Sequence, residues 1–403
     1  MHNMNSPNCK RLLLILLAAL TCQGTMARKW KVEPINIENE AVRQYLSESN
    51  STFAKQAGRL ARPFFDQQRP YRPDQPVGKV LRFSTSQPTA RLKVMTFDKK
   101  PAKLLLDSLL TVQGGKGTFL LTNLIPGKTY YYQLTSGSKT LLEGAIKAEG
   151  QVRMIAIDKG FNIRDLGGWV GQDGKRVRYG WLYRGGSLGG TDKDGNESTL
   201  PEADRRELHR IGIRAQLDLR APTNSGKYVG ESSLHSYSLG RTPLSECDFL
   251  NKMTDYGAYN QDASVVEDVE WIIDELQKGK PVYFNCRQGA DRTGTIAFVL
   301  EGLLGCYDHL TPSGANQMAM DYELTGFSQA NLVDNNKVDT SHRGADEAYS
   351  NRSKLFRQIL DLKAADGSEL GSVQQKCFHY LAHCKDKRIS KDKLEWFVRF
   401  MLE

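Results

Sequence analysis

The stretch VYFNCRQGADRTG, Val282 to Gly294, constrains the fold more tightly than any other part of the chain. A short apolar run, Val282 to Phe284, ends one residue before Cys286, five residues separate that cysteine from Arg292, and a second, nearly all-apolar run, TGTIAFVLEGLLG, begins at Thr293. The first run is short enough to be a buried strand, and the second has the length and apolarity of a buried helix. A buried strand leading into a buried helix points to an α/β core with a parallel or mixed sheet. The loop between them then lies at the carboxyl edge of that sheet, where open α/β folds bind ligands.

The residue types in the loop suit an anion. The amides of Arg287, Gln288, Gly289, Ala290 and Asp291, with the N-terminus of a helix starting near Arg292, would converge on one spot. Gly289 permits an unusual backbone angle in a tight turn. The planar guanidinium of Arg292 matches two oxygens of a phosphoryl group. The same positive field favours Cys286 as a thiolate nucleophile. Thr293 can donate to its sulfur, and Gly294 lets the helix approach the strand. Together these residues equip the loop for phosphoryl transfer to cysteine followed by hydrolysis of the thiophosphate. Arg292 and the amides neutralise the charge, so the chemistry calls for no metal or other cofactor. The competing reading is a buried structural cysteine ahead of a helix.

Elsewhere the periodicity divides the chain. From about Val152 strands and helices alternate: RMIAI, the helix PEADRRELHRIG ending near Gly212, the strand IRAQLDLR, and the amphipathic helix ASVVEDVEWIIDELQKG with Gly279 as its C-cap. The rest, from Thr311, reads as helical. Between Gln75 and Gly150 the period is two, in KVLRFSTS and ARLKVMTF, and GTFLLTNLIPGKTYYYQLTSG reads as a strand, a Pro-Gly turn and a strand. A β-sandwich fits there. Its LIPGKTYYY run resembles the corner of fibronectin type III modules, which implies a structural or docking role. The expected layout is a signal segment at 1–27, a polar segment at 28–74, the sandwich at 75–150, and an α/β domain with a helical C-terminal region at 151–403.

The signal reading rests on Lys10 and Arg11 ahead of LLLILLAAL, with small residues before a cleavage point after Ala27. The apolar core is too short to span a membrane comfortably. Cys22 could carry a lipid only through a poor lipobox, Ala19-Leu20-Thr21. The expected location is secreted or periplasmic, with any membrane association resting on a lipidated Cys22. A net charge of +9 over 403 residues, without a long basic block, suits a small anionic substrate or a phosphorylated protein rather than nucleic acid. Once Cys9 and Cys22 leave with the signal, Cys247, Cys286, Cys306, Cys377 and Cys384 remain, an odd number that does not suggest a disulfide framework. Cys377 and Cys384 would lie about 10 Å apart along a helix, too far to bridge.

A second motif agrees with the loop. FNIRDLGGWVGQDGKRVRYGWLYRGGSL, Phe161 to Leu188, together with C-x5-R-T-G, resembles the atypical bacterial protein tyrosine phosphatases marked by N-[FI]-R-D-[LV]-G-G and L-[YF]-R-[SG]-G. AQLDLR, DYELTGFS and ISKDKLEWFVRFML resemble further parts of that family, and the likeness runs from about Val152 to Glu403. The resemblance implies a tyrosine-phosphatase-like α/β domain and a thiophosphoryl-cysteine intermediate. It implies two substrate classes: phosphotyrosine, with dual specificity open, and inositol phosphates or phosphoinositides.

Two positions depart from the family's common H-C-x-x-G-K-D-R-T-G. Asn285 stands where histidine is usual; it can still hydrogen-bond the loop backbone but carries no charge, so the thiolate is expected to be somewhat less favoured. Ala290 stands where lysine is common, which argues against polyanionic inositol phosphates, although Arg287 returns one positive charge. The resemblance makes Asp291 the first candidate for general acid, with Asp248, Asp255 and Asp262 as alternatives on a separate loop. Arg164 and Asp165 either border the pocket or form an ion pair bracing the glycine turn. Asp218 and Arg220 pose the same choice, and Arg184 is either a phosphate guide or a surface charge. The non-enzymatic alternative is a phosphate-reading pseudophosphatase, whose hook is Asn285 and the unplaced acid.

Two patterns mimic metal sites. Asp192, Asp194 and Asn196 have calcium-loop spacing, but Glu197 occupies the glycine position and Ala203 that of the bidentate acid, so the segment reads as a surface loop. His379 and His383 sit four apart in HYLAHC with no third ligand evident, and read as ordinary helix packing.

Overall fold

In the computed structural model the apolar run before Cys286 is strand Val282–Asn285 and the run after it is helix Asp291–Leu303. The structure describes residues 31–48, 75–96, 103–189, 200–220, 248–251, 263–286, 288–309, 316–328, 332–333, 337–338, 359–384 and 386–403. The signal segment with Cys22, the residues Asp192, Asp194, Asn196 and Glu197, and Asp255, Asp262 and Arg287 lie outside the described residues.

The chain divides into two compact units, 1–34 with 82–117 and 129–147, and 35–81 with 118–128 and 148–403. The first is built on a five-stranded sheet ordered β1-β7-β6-β3-β4, from β1 (Val32–Asn36), β3 (Thr89–Thr96), β4 (Lys103–Thr111), β6 (Thr129–Ser136) and β7 (Lys139–Glu149). The pairs β3–β4, β3–β6 and β6–β7 are antiparallel. On β3 the period-two pattern buries Ala90, Leu92 and Val94 on one face. β2 (Lys79–Ser84) and β5 (Lys116–Leu121) pair separately.

The second unit carries the α/β core. β9 (Leu182–Gly185), β12 (Val282–Asn285), β10 (Ala215–Asp218) and β11 (Asp248–Asn251) run parallel, and β8 (Arg164–Asp165) pairs antiparallel with β9. The register aligns Gly185, Asn285 and Asp218 at the carboxyl end. Helix α4 (Asp291–Leu303) is buried at every position from Arg292 to Leu303, which explains its nearly unbroken apolar sequence. Around it lie α2 (Glu202–Arg210), α3 (Ala263–Gln277), α5 (Gln317–Glu323), α6 (Val373–His383) and α7 (Lys391–Met401). Local chemistry sets their ends: Gly279 turns at φ +76° after α3, a Ser372–Gln375 capping box starts α6, and Ser390 caps α7.

Three segments differ from the sequence reading. RMIAI is not a continuous strand; it makes one bridge, Met154 with Arg164, closed by the Ile155 N–H on the Ile163 carbonyl and the Asp165 N–H on the Arg153 carbonyl. Glu38 accepts the Val152 N–H at 2.8 Å, and Asn123 accepts that of Ala156 at 2.7 Å. Within the polar segment, helix α1 (Glu40–Glu48) forms behind an Asn39 cap and buries Ala41, Val42 and Tyr45 in the α/β core. Past Thr311 the described residues are not all helical: Leu332–Val333 pairs antiparallel with Lys337–Val338.

Candidate active site

Strand β12 delivers a buried Cys286 to the carboxyl edge of the sheet. The backbone then turns through Gly289 at φ +69° and enters α4 at Asp291. A Cβ at position 289 would stand 2.3 Å from the carbonyl carbon of Gly185, so the left-handed angle and the close approach of β9 both require glycine.

Two side chains hold the loop carbonyls from behind. Asn162 Nδ2 donates to the Gln288 carbonyl at 2.8 Å. Arg184 Nη2 donates to the Gly289 carbonyl at 3.0 Å and, more weakly, to that of Ala290 at 3.5 Å. In a trans peptide the carbonyl and the following N–H point in opposite directions. Tying these carbonyls rearward therefore turns the amides of Gly289, Ala290 and Asp291 to the other side. Joined to the N-terminus of α4, whose first amides have no intrahelical acceptor, they form a nest suited to a tetrahedral anion.

Arg292 is buried and anchored through Nη1 on the Leu219 carbonyl at 2.9 Å, just past β10. The Thr293 hydroxyl is fully buried and has no hydrogen-bond partner among the described residues. Donation to the Cys286 sulfur would remove that cost, about 1–3 kcal/mol for an unsatisfied buried group. Asp291 opens α4 half-buried, with the Tyr322 hydroxyl 3.4 Å from its Oδ1. Asn285 accepts from Gln216 Nε2 at 2.8 Å, and its own amide lies 3.5 Å from the Cys286 carbonyl, so it holds backbone at the nucleophile. A Cβ at position 294 would meet the Tyr322 ring at 3.1 Å and Arg184, on β9, at 3.3 Å.

The flanking charges sort differently from the sequence reading. Arg164 and Asp165 do not pair with each other, because neighbours on a strand point to opposite faces. Asp165 pairs with Arg153 at 2.8 Å and accepts the amides of Gly167 and Gly180, so it does brace the glycine turn, with a different counter-ion. Burial pushes its carboxyl up, only partly offset by Arg153 and those amides. Arg164 points the other way, to Asp321 at 2.8 Å and to Asn162 Oδ1 at 2.5 Å. Arg184 is not a surface charge; it is 1 % exposed and meets Asp321 Oδ2 at 2.5 Å. Asp218 and Arg220 are buried together, with Nη2 to Oδ2 at 2.6 Å. Asp248 begins β11.

Asp321 is the residue that the sequence reading passed over. Two buried arginines inside one motif require a carboxylate, and that was the available signal. Nothing local said which of the 46 acidic residues supplies it. Burial raises the Asp321 carboxyl, but Arg164 and Arg184 more than offset that and hold it below the usual aspartate range. On α6 the rings of His379 and His383 lie 4.4 Å apart, and burial followed by the His383 charge holds His379 below the ordinary histidine value. Among the described residues no group of three or more potential ligands gathers around a metal position.

A nucleophilic cysteine, a basic anchor and an amide nest at the carboxyl edge of a parallel sheet define a phosphate-transfer loop of the cysteine-dependent class. The model of the tyrosine phosphatase family matches residues 155–375, more than half of the chain, and the chain belongs to that family. It is a cysteine-dependent phosphatase. A provisionally named tyrosine-protein phosphatase of Cupriavidus necator is 29% identical over 269 residues, covering 57% of this chain and 88% of that protein. Among solved structures, TpbA of P. aeruginosa aligns with 16% identity and a TM-score of 0.25, covering 43% of this chain and 78% of that one. A kinase associated phosphatase carrying serine for its catalytic-site cysteine aligns with 21% identity and a TM-score of 0.25, covering 36% and 83%.

Proposed function

We propose that this phosphatase removes phosphate from phosphotyrosine-bearing proteins in two steps. The Cys286 sulfur attacks phosphorus while Arg292 and the amides of the loop hold the phosphoryl oxygens. The bond from phosphorus to the phenolic oxygen breaks, and Asp291 gives its proton to that oxygen. Water then attacks the thiophosphate, Asp291 takes a proton from it, and the sulfur leaves as a thiolate steadied by Thr293. The observation that carries this reading is the rearward fixing of the Gln288 and Gly289 carbonyls beside a buried cysteine and arginine. The small Ala290 in place of a lysine favours a substrate with a single phosphoryl group, such as phosphotyrosine, over polyanionic inositol phosphates. The test is turnover of a chromogenic aryl phosphate and of phosphotyrosine peptides against inositol phosphates, with Cys286→Ser as control. Turnover that survives Cys286→Ser, or confined to inositol phosphates, would reject the proposal.

The same reading takes 1–27 as a secretory signal, the strands of 75–150 as a fibronectin-like docking module, and the protein as secreted or periplasmic. N-terminal sequencing of the exported protein should begin at Arg28; a mature protein that begins at Cys22 with a lipid would instead favour membrane anchoring.

A further inference from the structure

We infer that Asp321, on α5, is the positioning residue that sets the shape of the phosphate-binding loop, an inference that rests on the phosphatase reading above. Its carboxylate is 1 % exposed and binds two guanidiniums at once: Arg164 through Nε at 2.8 Å, and Arg184 through Nη1 at 2.5 Å. Each arginine passes the constraint to the loop. Arg184 does so directly, through Nη2 on the Gly289 carbonyl at 3.0 Å. Arg164 does so through Asn162, whose Oδ1 it holds at 2.5 Å while Asn162 Nδ2 holds the Gln288 carbonyl at 2.8 Å. Consecutive peptide planes of the loop are therefore oriented by one acid that touches none of them.

A planar fork is what allows this. Arginine presents donors in two directions from one rigid group, so Arg184 can grip the carboxylate and the carbonyl together; a lysine ammonium at that position could not span both. The adjacent residue extends the arrangement, because Tyr322 places its hydroxyl 3.4 Å from Asp291 Oδ1. Two neighbouring residues of α5 thus reach the turn of the loop and the proposed acid. Another buried carboxyl beside the arginines, Glu301, is pushed well above its usual range, first by burial and then by the Asp321 charge.

Positioning and simple electrostatics predict opposite results. Asp321→Asn removes a negative charge behind an anion site, which by Coulomb's law alone would tighten phosphate binding. If the carboxylate positions the loop, the same change should loosen it. Inorganic phosphate binding is measured by calorimetry in Cys286→Ser with and without Asp321→Asn, and kcat and KM on p-nitrophenyl phosphate are measured for Asp321→Asn, Asp321→Glu and Arg184→Lys. The expected result is about tenfold weaker phosphate binding in the double variant. Arg184→Lys should lose roughly 10- to 100-fold in kcat, the scale of a small misplacement at a reacting centre, in an enzyme that still folds cooperatively; Asp321→Glu should recover part of the loss seen in Asp321→Asn. Unchanged or tighter phosphate binding, or a folded Arg184→Lys enzyme with wild-type kcat and KM, would overturn the inference. If Asp321→Asn does not fold, Arg184→Lys decides alone. Failure of the phosphatase reading itself is distinguishable, since wild type would then not turn over the aryl phosphate at all.

Discussion

At the scale of single residues the loop leaves little freedom. Gly289→Ala must place a side chain at φ +69° and against the Gly185 carbonyl. It should cost about 1–3 kcal/mol in stability and most of the activity, measured by urea unfolding and aryl phosphate turnover. Asp291→Asn distinguishes an acid from a loop brace. A tyrosine leaving group, pKa about 10, needs a proton more than p-nitrophenolate does, so the variant should lose far more rate on phosphotyrosine than on p-nitrophenyl phosphate. Equal losses on both would assign the acid elsewhere. Glu301 makes a pH prediction. Its carboxyl keeps a proton in the fold that the unfolded chain releases, so its contribution to stability declines as pH rises above the ordinary glutamate range. Glu301→Gln lacks that titration, and its melting temperature relative to wild type should climb between pH 5 and pH 8; a flat difference would contradict the assignment.

At the scale of elements, β12 and α4 are legible because burial on all sides leaves apolar residues and little else. Helix α1 is not legible in that way. Its apolar residues are few and lie in a polar, charged stretch, yet Ala41, Val42 and Tyr45 are fully buried, and the Tyr45 ring lies 5.3 Å from that of Phe327. Tyr45→Ala should cost about 3–5 kcal/mol, the usual range for deleting a buried aromatic ring; a loss under 1 kcal/mol in chemical denaturation would show that α1 is dispensable. RMIAI illustrates the converse. Its composition is that of a strand, but β8 is two residues long and offers it one bridge, while Glu38 and Asn123 take amides on its other edge. Whether a short apolar run becomes a strand depends on which partner reaches its backbone first, and a one-dimensional pattern does not contain that information.

For the chain as a whole, the family match begins at residue 155, but the unit that holds the site includes residues 35–81 and 118–128. Arg153 shows what those residues supply. It is 1 % exposed, and its guanidinium donates to the carbonyls of Asn123 at 2.8 Å and Leu124 at 3.1 Å. Removing residues 1–150 would leave that buried charge without two acceptors and strip α1 from the core. A 151–403 fragment should therefore be poorly soluble or melt without cooperativity, and calorimetry with aryl phosphate turnover would show it. A fragment as active and as stable as the full chain would refute this.

The sequence by itself determined the nucleophile loop, its place between a buried strand and a buried helix, and the class of chemistry. These depend on residues adjacent in the chain, whose spacing limits the geometry they can form. The tertiary structure alone decided which charges pair. Arg164 and Asp165 are neighbours in sequence but point to opposite faces of β8, and the acid that joins Arg164 to Arg184 lies at position 321. A buried ion pair is selected by distance and desolvation after the chain has folded, so its partners can be remote in sequence and carry no local mark.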